Sequence, residues 1–180
     1  MKLLFFSDIH GVAQSLEKVL QWADKLFPDK LVLLGDALYH GPRNGVPGFY
    51  DPQKTASLLN ANKERLVAVR GNCDTEVDQM MLDFPVLADF SQLLLPSRSF
   101  FLTHGHIWNQ HHLPPLAAGS ILAHGHTHIP QITMLDNGIE VFNPGSISLP
   151  KQQFEPSFGF FDGDKLSVRN LADGKVMFSE

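Results

Sequence analysis

The chain has 180 residues, of which 43% are hydrophobic and 18% charged, the composition of a globular protein that buries about 70% of its unfolded surface. Its net charge of −5, with no block of lysine or arginine, argues against a nucleic-acid-binding protein, which needs a cationic face. No apolar run approaches the roughly 18 residues that cross a membrane, and the single cysteine excludes an internal disulfide. We therefore expect one cytoplasmic domain over residues 1–180 with no membrane partner.

The first half of the chain alternates strands and helices. Apolar runs predict buried strands and helical spacing predicts two helices: strands Lys2–Ser7, Leu31–Leu34 and Leu66–Val69, helices Ser15–Phe27 and Asp51–Asn62. This order implies right-handed parallel crossovers. Each strand stops at a polar turn, and the carboxyl ends of parallel strands meet at one edge of a sheet. We therefore expect the three turns to lie close together.

The second half changes to short strands with tight turns. After a short helix predicted at Glu76–Met81, the strand-like segments are Leu93–Leu95, Ser99–Thr103, Ile121–Ala123, Ile132–Leu135, Glu140–Phe142, Phe158–Phe161, Lys165–Val168 and Val176–Phe178. Asp136-Asn137-Gly138 and Asp162-Gly163-Asp164 are typical of hairpin turns and favour mostly antiparallel pairing. Two facing sheets with helices outside would bury both halves.

Nine histidines occur in the chain, and three of them alternate in His124-Gly125-His126-Thr127-His128. In an extended segment these three imidazoles would face the same way, and imidazole is the commonest side-chain metal ligand. A loop that is merely rich in histidine is the alternative. Further candidate ligands lie at or near strand ends upstream, namely Asp8, His10, Asp36, Asn72 and His104. Together they predict a metal site.

Five ordered blocks carry a specific resemblance: Asp8-Ile9-His10, Gly35-Asp36, Gly71-Asn72-Cys73-Asp74, Thr103-His104-Gly105-His106 and Gly125-His126-Thr127-His128. They resemble the motifs of the calcineurin-like metallophosphoesterases, in particular the YfcE-like group of small phosphodiesterases. Asn143-Pro144-Gly145-Ser146 is also similar and extends the resemblance to about residue 150. The resemblance implies an α+β fold, a four-layer α/β/β/α sandwich of two facing mixed sheets.

The resemblance also implies two adjacent divalent metal ions. One would be bound by Asp8, His10, Asp36 and His128, and the other by Asp36, Asn72, His104 and His126. Two cations about 3.5–4 Å apart need a shared anionic ligand, a role that suits the Asp36 carboxylate. Carboxylate, amide and imidazole ligands without thiolate favour Mn, Fe, Ni or Zn over Cu(I). We expect Mn²⁺, with Ni, Zn, Fe and Mg as alternatives.

The implied activity is the hydrolysis of a small phosphodiester. A hydroxide bridging two metal ions is nucleophilic near neutral pH because the metals depress the pKa of water. Four further residues are candidate contributors to catalysis: Cys73, Asp74, Arg43 and His106. Many relatives have histidine at the Cys73 position, and a thiol is a poorer donor than imidazolium, so we expect good leaving groups to be favoured.

The other three candidates have different expected roles. Asp74 could orient a ligand, and Arg43 could bind a phosphate bidentately. His106 could be an additional ligand or could support its neighbours. Each also has a simpler explanation, as a turn residue, an exposed loop arginine or a strand-end residue.

Three alternative functions stay open. A phosphomonoesterase would use the same metals but would need a cationic pocket, for which Arg43 is the obvious candidate. A nuclease would need a basic track, which the net charge of −5 disfavours. A protein-binding scaffold of the same fold, like a retromer subunit, is expected to lose ligands, whereas all seven positions are filled here. A homo-oligomer is possible through the apolar Phe84–Leu87 region or the last strand.

Overall fold

The computed structural model describes residues 1–180. Its elements in chain order are β1 (Leu3–Phe6), α1 (Ala13–Leu26), β2 (Lys30–Leu33), α2 (Pro52–Asn60), a 3-10 turn (Lys63–Arg65), β3 (Leu66–Ala68), α3 (Glu76–Met81), β4 (Phe90–Leu94), β5 (Ser99–Thr103), β6 (Ser120–Ala123), β7 (Gln131–Met134), β8 (Glu140–Asn143), β9 (Ser157–Phe161), β10 (Leu166–Asn170) and β11 (Val176–Ser179). Every predicted strand and helix is present, with ends shifted by a few residues. None of the three helices has the length and apolarity that a membrane crossing requires.

The strands form two mixed sheets. The six-stranded sheet has the order β11-β10-β9-β1-β2-β3, and the five-stranded sheet has the order β4-β5-β6-β8-β7. β1, β2 and β3 are parallel, as the predicted crossovers require. Most pairs among the later strands are antiparallel, but β5–β6 and β6–β8 are parallel. The predicted fold class, two facing mixed sheets in an α+β sandwich, is confirmed.

Alternation along β1 explains how the layers are held together. Leu3 and Phe5 face the five-stranded sheet, where the ring of Phe5 packs against Phe100 and Phe142 at centroid distances of 5.5 and 5.1 Å. Leu4 and Phe6 face the opposite way, into the cluster formed with α1 and α2. Both faces of β1 are therefore buried, which is why this strand reads as a continuous apolar run.

The outer face of the five-stranded sheet is covered by a loop instead of a helix. Phe101 and Leu122 on this face pack against Trp108, Leu113 and Leu116, which belong to the connection between β5 and β6. Because this connection joins two parallel strands, it has to cross the sheet face, and its apolar side chains supply the outer layer there.

Candidate metal centre

The turns that follow β1 and β6 bring Asp8, His10 and His128 together. Asp8 Oδ1 lies 3.2 Å from His128 Nε2 and 3.8 Å from His10 Nε2, and the two imidazole nitrogens are 3.4 Å apart. Ligand atoms that bind one cation at about 2.1 Å lie about 3–4 Å from each other. The spacing of these three atoms therefore fits one divalent cation.

A second cluster lies next to the first. His104 Nε2 lies 3.1 Å from Asn72 Oδ1, 3.3 Å from His126 Nδ1 and 3.5 Å from Asp36 Oδ2. The same Asp36 oxygen lies 3.7 Å from His10 Nε2 in the first cluster. Asp36 Oδ2 thus faces both clusters, which is the position that a carboxylate shared by two cations occupies.

Three of the histidines are oriented by backbone carbonyl groups. Their Nδ1–H groups donate to carbonyl oxygens: His10 to Tyr39 at 2.9 Å, His104 to Leu34 at 2.6 Å and His128 to Leu149 at 2.5 Å. In the neutral ring this leaves the Nε2 lone pair directed at the carboxylates. Such an arrangement is repulsive unless a cation lies between the two groups, and it is the usual orientation of a metal-bound histidine.

Each site carboxylate is fixed through one oxygen and leaves the other free. Asp8 Oδ2 accepts a hydrogen bond from the His126 N–H at 3.1 Å, and Asp36 Oδ1 accepts one from the Cys73 N–H at 2.8 Å. Asp8 Oδ1 is buried and has no hydrogen-bond partner. Because a buried, unpaired carboxylate oxygen is costly, this atom calls for a bound cation, and the residues present fit the divalent ions that the resemblance implies.

The charges in the cluster also favour a bound cation. Burial raises the pKa of Asp8, but His128, His104 and His10 outweigh it and hold that pKa well below its usual range. Burial lowers the pKa of His104, whereas the adjacent Asp36 and Asp8 carboxylates raise it to about 9. Without a metal ion, a proton on His104 therefore supplies the positive charge that the carboxylates attract.

The backbone at five candidate ligands is left-handed. The φ values are 56° at Asp8, 49° at His10, 56° at Asp36, 67° at His126 and 60° at His128. Non-glycine residues rarely adopt this conformation, which costs about 1–3 kcal/mol each and is concentrated at functional sites. The surrounding loops must impose it, and they pack too closely for a side chain at Gly71, where a Cβ would overlap Asp36.

Asp74 is buried behind the ligands and connects two of the turns. Its carboxylate accepts hydrogen bonds from the N–H groups of Asp36 at 2.8 Å, Ala37 at 2.8 Å and Gly71 at 2.7 Å. Burial and the charge of Asp36 raise the pKa of Asp74 to about 6, and the three N–H groups limit the rise. This geometry gives Asp74 a positioning role and leaves it no free oxygen to bind a metal.

Cys73 lies beside the second cluster with its thiol buried. Its Sγ accepts a hydrogen bond from Asn72 Nδ2 at 3.2 Å, and Gly41 packs closely against it. Burial and the nearby charges of Asp36 and Asp74 raise the pKa of the thiol to about 12. The thiol is therefore neutral at physiological pH.

An open cleft of about 400 Å³ leads to both clusters. It is lined by His10, Asp36, Gly41, Pro42, Arg43, Asn44, Asn72, Cys73, His126, Thr127, His128 and Lys151. Arg43 lies on its rim, exposed to solvent, as its loop position suggests. The sequence patterns did not identify Lys151 as a cleft residue. The feature that could have indicated it is its position shortly after the Asn143-Pro144-Gly145-Ser146 block.

Neither His106 nor His124 lines the cleft. The ring of His106 packs beside those of His104 and His126, at centroid distances of 5.4 and 6.2 Å, and does not line the cleft. His124 is buried with its Nδ1 3.0 Å from the Gly125 carbonyl oxygen. The expectation that His124 faces the same way as His126 and His128 is wrong, because the left-handed backbone at His126 and His128 breaks the extended alternation.

The fold is a sandwich of two mixed sheets, and candidate carboxylate, amide and imidazole ligands lie at its strand ends. This combination defines a calcineurin-like phosphoesterase. Residues 1–165 match the calcineurin-like phosphoesterase superfamily domain, and the chain belongs to this superfamily. The family uses divalent metal ions. The chain is 46% identical over 177 residues to phosphodiesterase YfcE of Escherichia coli K12, covering 98% of this chain and 96% of the relative.

Solved structures agree with the sequence comparison. The E. coli phosphoesterase YfcE superposes with a TM-score of 0.97 at 45% identity, over 100% of this chain and 98% of that one. Vacuolar Protein Sorting 29 from Cryptosporidium parvum has a TM-score of 0.61 at 20% identity, over 99% and 95% of the two chains. The second likeness, at this low identity, concerns the fold alone.

Proposed function

We propose that this protein is a phosphodiesterase that hydrolyses small phosphodiesters with two divalent metal ions. The proposed ligands are Asp8, His10, Asp36, Asn72, His104, His126 and His128. The observation that carries the proposal is the position of Asp36 Oδ2, which is 3.7 Å from His10 Nε2 and 3.5 Å from His104 Nε2. The phosphodiesterase name of the 46% identical relative supports the same reaction.

The residues of the chain prepare the site for this reaction. When bound, the metal ions would stabilise charge on the phosphoryl oxygens and lower the pKa of an attacking water molecule. The carbonyl groups behind His10, His104 and His128 hold the ligand nitrogens in place before any metal binds. Asp74 fixes the turn of Asp36 relative to the turn of Gly71. The site is therefore organised by hydrogen bonds that do not involve the substrate.

Cys73 is the proposed neighbour of the leaving group. It lines the cleft next to Asn72, and its thiol is neutral and a weak hydrogen-bond donor. A site without a stronger acid would favour esters whose leaving group departs as an anion. We assign this preference for good leaving groups to Cys73. We assign no direct role at the reacting phosphate to Asp74 or His106.

We propose Mn²⁺ as the activating ion. The ligand set combines oxygen and imidazole nitrogen, and the nearby thiol is protonated. No thiolate is therefore present to favour a soft metal ion. Ni²⁺, Zn²⁺, Fe²⁺ and Mg²⁺ are the alternatives. We further propose that residues 1–180 form one domain, because β1 pairs with both β2 and β9 from opposite halves of the chain. The lone thiol supports a cytoplasmic location.

A phosphomonoesterase is the second candidate function. A monoester dianion needs more positive charge than a diester, and Lys151 adds a second cation to Arg43 at the cleft. The scaffold alternative is weakened because the seven candidate ligands converge. A nuclease is disfavoured by the net charge of −5. A homo-oligomer stays a proposal: Phe84 and Val86 of the first predicted contact region are buried within the chain, whereas Val176 on the last strand is exposed.

The test is turnover after metal reconstitution. Purified protein is stripped of metal, loaded with Mn²⁺, Ni²⁺, Zn²⁺ or Mg²⁺, and assayed in parallel on bis(4-nitrophenyl) phosphate and 4-nitrophenyl phosphate. We expect Mn²⁺ to give the highest rate and the diester to exceed the monoester. Faster monoester turnover would establish the second candidate, and bound metal without any turnover would favour a scaffold.

A further inference from the structure

Two cationic side chains stand at the mouth of the cleft without an acidic partner. Arg43 and Lys151 both line the cleft, and neither has a carboxylate oxygen within 4.0 Å of its nitrogen atoms. Arg70 and Arg98 are paired with carboxylates elsewhere on the surface, whereas Lys165 and several other basic side chains are not. Arg43 and Lys151 are distinguished by their place, because they are the two basic residues that line the cleft.

Their backbones are anchored next to the two ligand clusters. The Lys151 N–H donates to the His128 carbonyl oxygen at 3.2 Å, and the Lys151 carbonyl oxygen accepts from the Phe154 N–H at 3.1 Å. Arg43 lies in a turn closed by Asn44 Nδ2, which donates to the His40 carbonyl oxygen at 2.8 Å. Both side chains thus project from fixed turns, Lys151 beside the first cluster and Arg43 from the loop whose Gly41 packs on Cys73.

The scissile phosphate does not need these two charges. A phosphodiester carries one negative charge. The two candidate ligand carboxylates, Asp8 and Asp36, and the attacking hydroxide carry three negative charges, whereas the two divalent ions of the proposed function would carry four positive charges. The one unit of net positive charge that remains at the clusters already matches the single negative charge of a diester. Arg43 and Lys151 are therefore available to bind another anion.

The rest of the cleft wall also suits a polar substrate. Only one of the twelve lining residues is hydrophobic, and no phenylalanine, tyrosine or tryptophan is among them. Binding sites for apolar or aromatic groups are lined mainly by such residues. The ester arm that lies in this cleft is therefore recognised by charge and hydrogen bonds.

We propose, building on the phosphodiesterase function above, that the substrate carries a second anionic group on one ester arm, bound by Arg43 and Lys151. A carboxylate or a phosphate has the required chemistry, since guanidinium binds either one bidentately and ammonium binds either as a point charge. Arg43 and Lys151 then determine substrate specificity, while the metal ligands act on the scissile phosphate.

The kinetic test compares two diesters with the same leaving group. Mn²⁺-loaded protein is assayed on ethyl 4-nitrophenyl phosphate and on 2-carboxyethyl 4-nitrophenyl phosphate, which differ by one carboxylate. We expect the charged arm to raise kcat/KM about tenfold at low ionic strength, an advantage that added salt reduces. Arg43→Gln and Lys151→Gln should each remove most of this advantage, measured within each variant as the ratio of kcat/KM for the charged arm to kcat/KM for the neutral arm. Lys165→Gln, an exposed lysine in the β9–β10 turn, is the matched control and should keep the advantage.

Three results would overturn the proposal: equal kcat/KM for the two arms in the unsubstituted protein, an advantage that survives both substitutions, or an equal loss on both substrates. The last result would assign the two cations to the scissile phosphate. A 2-phosphoethyl arm in the same assay separates phosphate recognition from carboxylate recognition.

A binding measurement keeps the proposal testable if no diester turns over. In ethyl methylphosphonate and 2-carboxyethyl methylphosphonate the phosphoryl group carries the single charge of a diester, and a methyl group replaces the aryloxy leaving group. Calorimetric titration of the metal-loaded protein should give about tenfold tighter binding of the carboxylated ester, and the Arg43→Gln, Lys151→Gln double variant should lose that difference. Binding without a difference overturns the anion site. A retained difference without turnover overturns only the proposed activity.

Discussion

The carboxylate of Asp74 accepts a hydrogen bond at 2.8 Å from the backbone N–H of Asp36, the residue whose side chain faces both ligand clusters. The same Asp74 oxygen accepts from the Gly71 N–H, so one atom ties together the turns that follow β2 and β3. A carboxylate is required there because all three of its neighbours are N–H donors. We therefore expect the candidate ligands to depend on Asp74 for their position, although Asp74 is not one of them.

Replacing Asp74 by Asn should weaken metal binding about 10- to 100-fold, as is typical when a group supporting the ligands is lost. The amide keeps one acceptor oxygen but points an NH₂ group at an N–H donor. Calorimetric titration of metal-free protein with Mn²⁺ measures the change. Asp78→Asn is the matched control, because Asp78 is also buried and accepts from the backbone N–H of Thr75, away from the ligands.

Asp78→Asn should lower the free energy of unfolding by about 1 kcal/mol, the usual cost of losing a helix cap, and leave the Mn²⁺ affinity unchanged. Equal Mn²⁺ affinity in the Asp74→Asn variant and the unsubstituted protein would contradict the positioning role of Asp74.

The candidate ligands converge, as the sequence predicted, for a specific reason. Asp8, Asp36 and Asn72 each follow a short apolar strand, and parallel strands deliver their carboxyl ends to one edge. The pattern of apolar runs therefore located both the strands and the turns. Gly35 and Gly71 marked the same turns, and their contacts with the opposite loop explain why glycine stands there.

Loop conformation was the part that sequence patterns could not supply. His124 follows β6 and appeared equivalent to His126 and His128, but a left-handed φ is set by the packing of distant loops and breaks the alternation. Lys151 was missed for a similar reason. Its place at the cleft depends on a hydrogen bond to His128, more than twenty residues earlier in the chain, and its position after the Asn143-Pro144-Gly145-Ser146 block does not by itself reveal that contact.

The shared position of Asp36 predicts how metal content responds to substitution. His128 belongs to the first cluster only, so His128→Ala should reduce the metal content from about two ions per chain to about one. Asp36→Asn should reduce it to below one, because it removes the anionic oxygen between both clusters. Metal analysis by atomic emission after gel filtration measures the ratio.

His112→Ala is the control for metal content, since His112 is an exposed imidazole remote from both clusters. Its metal content should stay at the unsubstituted value. If Asp36→Asn and His128→Ala lost the same amount of metal, Asp36 would not be shared between two ions.

The buried thiol of Cys73 predicts a preference among leaving groups. Its raised pKa of about 12 makes it a weak acid beside the reacting phosphate. Aryl diesters, whose leaving groups are stable anions, should react much faster than alkyl diesters. In the Cys73→His variant, an imidazolium could donate a proton, and kcat for an alkyl diester should rise at least threefold relative to the aryl diester.

The measurement for Cys73 is the ratio of aryl to alkyl rates in both proteins at matched metal content. Cys73→Ser supplies a control of similar size that lacks an imidazole, and its ratio should stay close to that of the unsubstituted protein. If the aryl-to-alkyl ratio were the same in the Cys73→His variant and the unsubstituted protein, the thiol of Cys73 would not determine the leaving-group preference.

A partly exposed ion cluster outside the cleft predicts how stability depends on pH. Arg98 donates to Glu140 on β8 at 3.2 Å and to Glu180 beyond β11 at 2.5 Å, and so joins the two sheets. Burial and the charge of Glu180 raise the pKa of Glu140 from 4.5 to about 7, although Arg98 opposes the rise. Because the folded state binds this proton more tightly than the unfolded state, its stabilising contribution is complete below pH 4.5 and is lost as the pH rises through 7.

Glu140→Gln removes this titration, so its stability relative to the unsubstituted protein should increase between about pH 4.5 and pH 7.5. We expect a change on the order of 1 kcal/mol, allowing for solvent screening around Arg98. Urea unfolding at several pH values, with both proteins free of metal, gives the difference in the free energy of unfolding. The exposed Glu155→Gln variant is the control and should give a difference that does not vary with pH. A constant difference for Glu140→Gln as well would mean that Glu140 has an ordinary pKa in the folded protein.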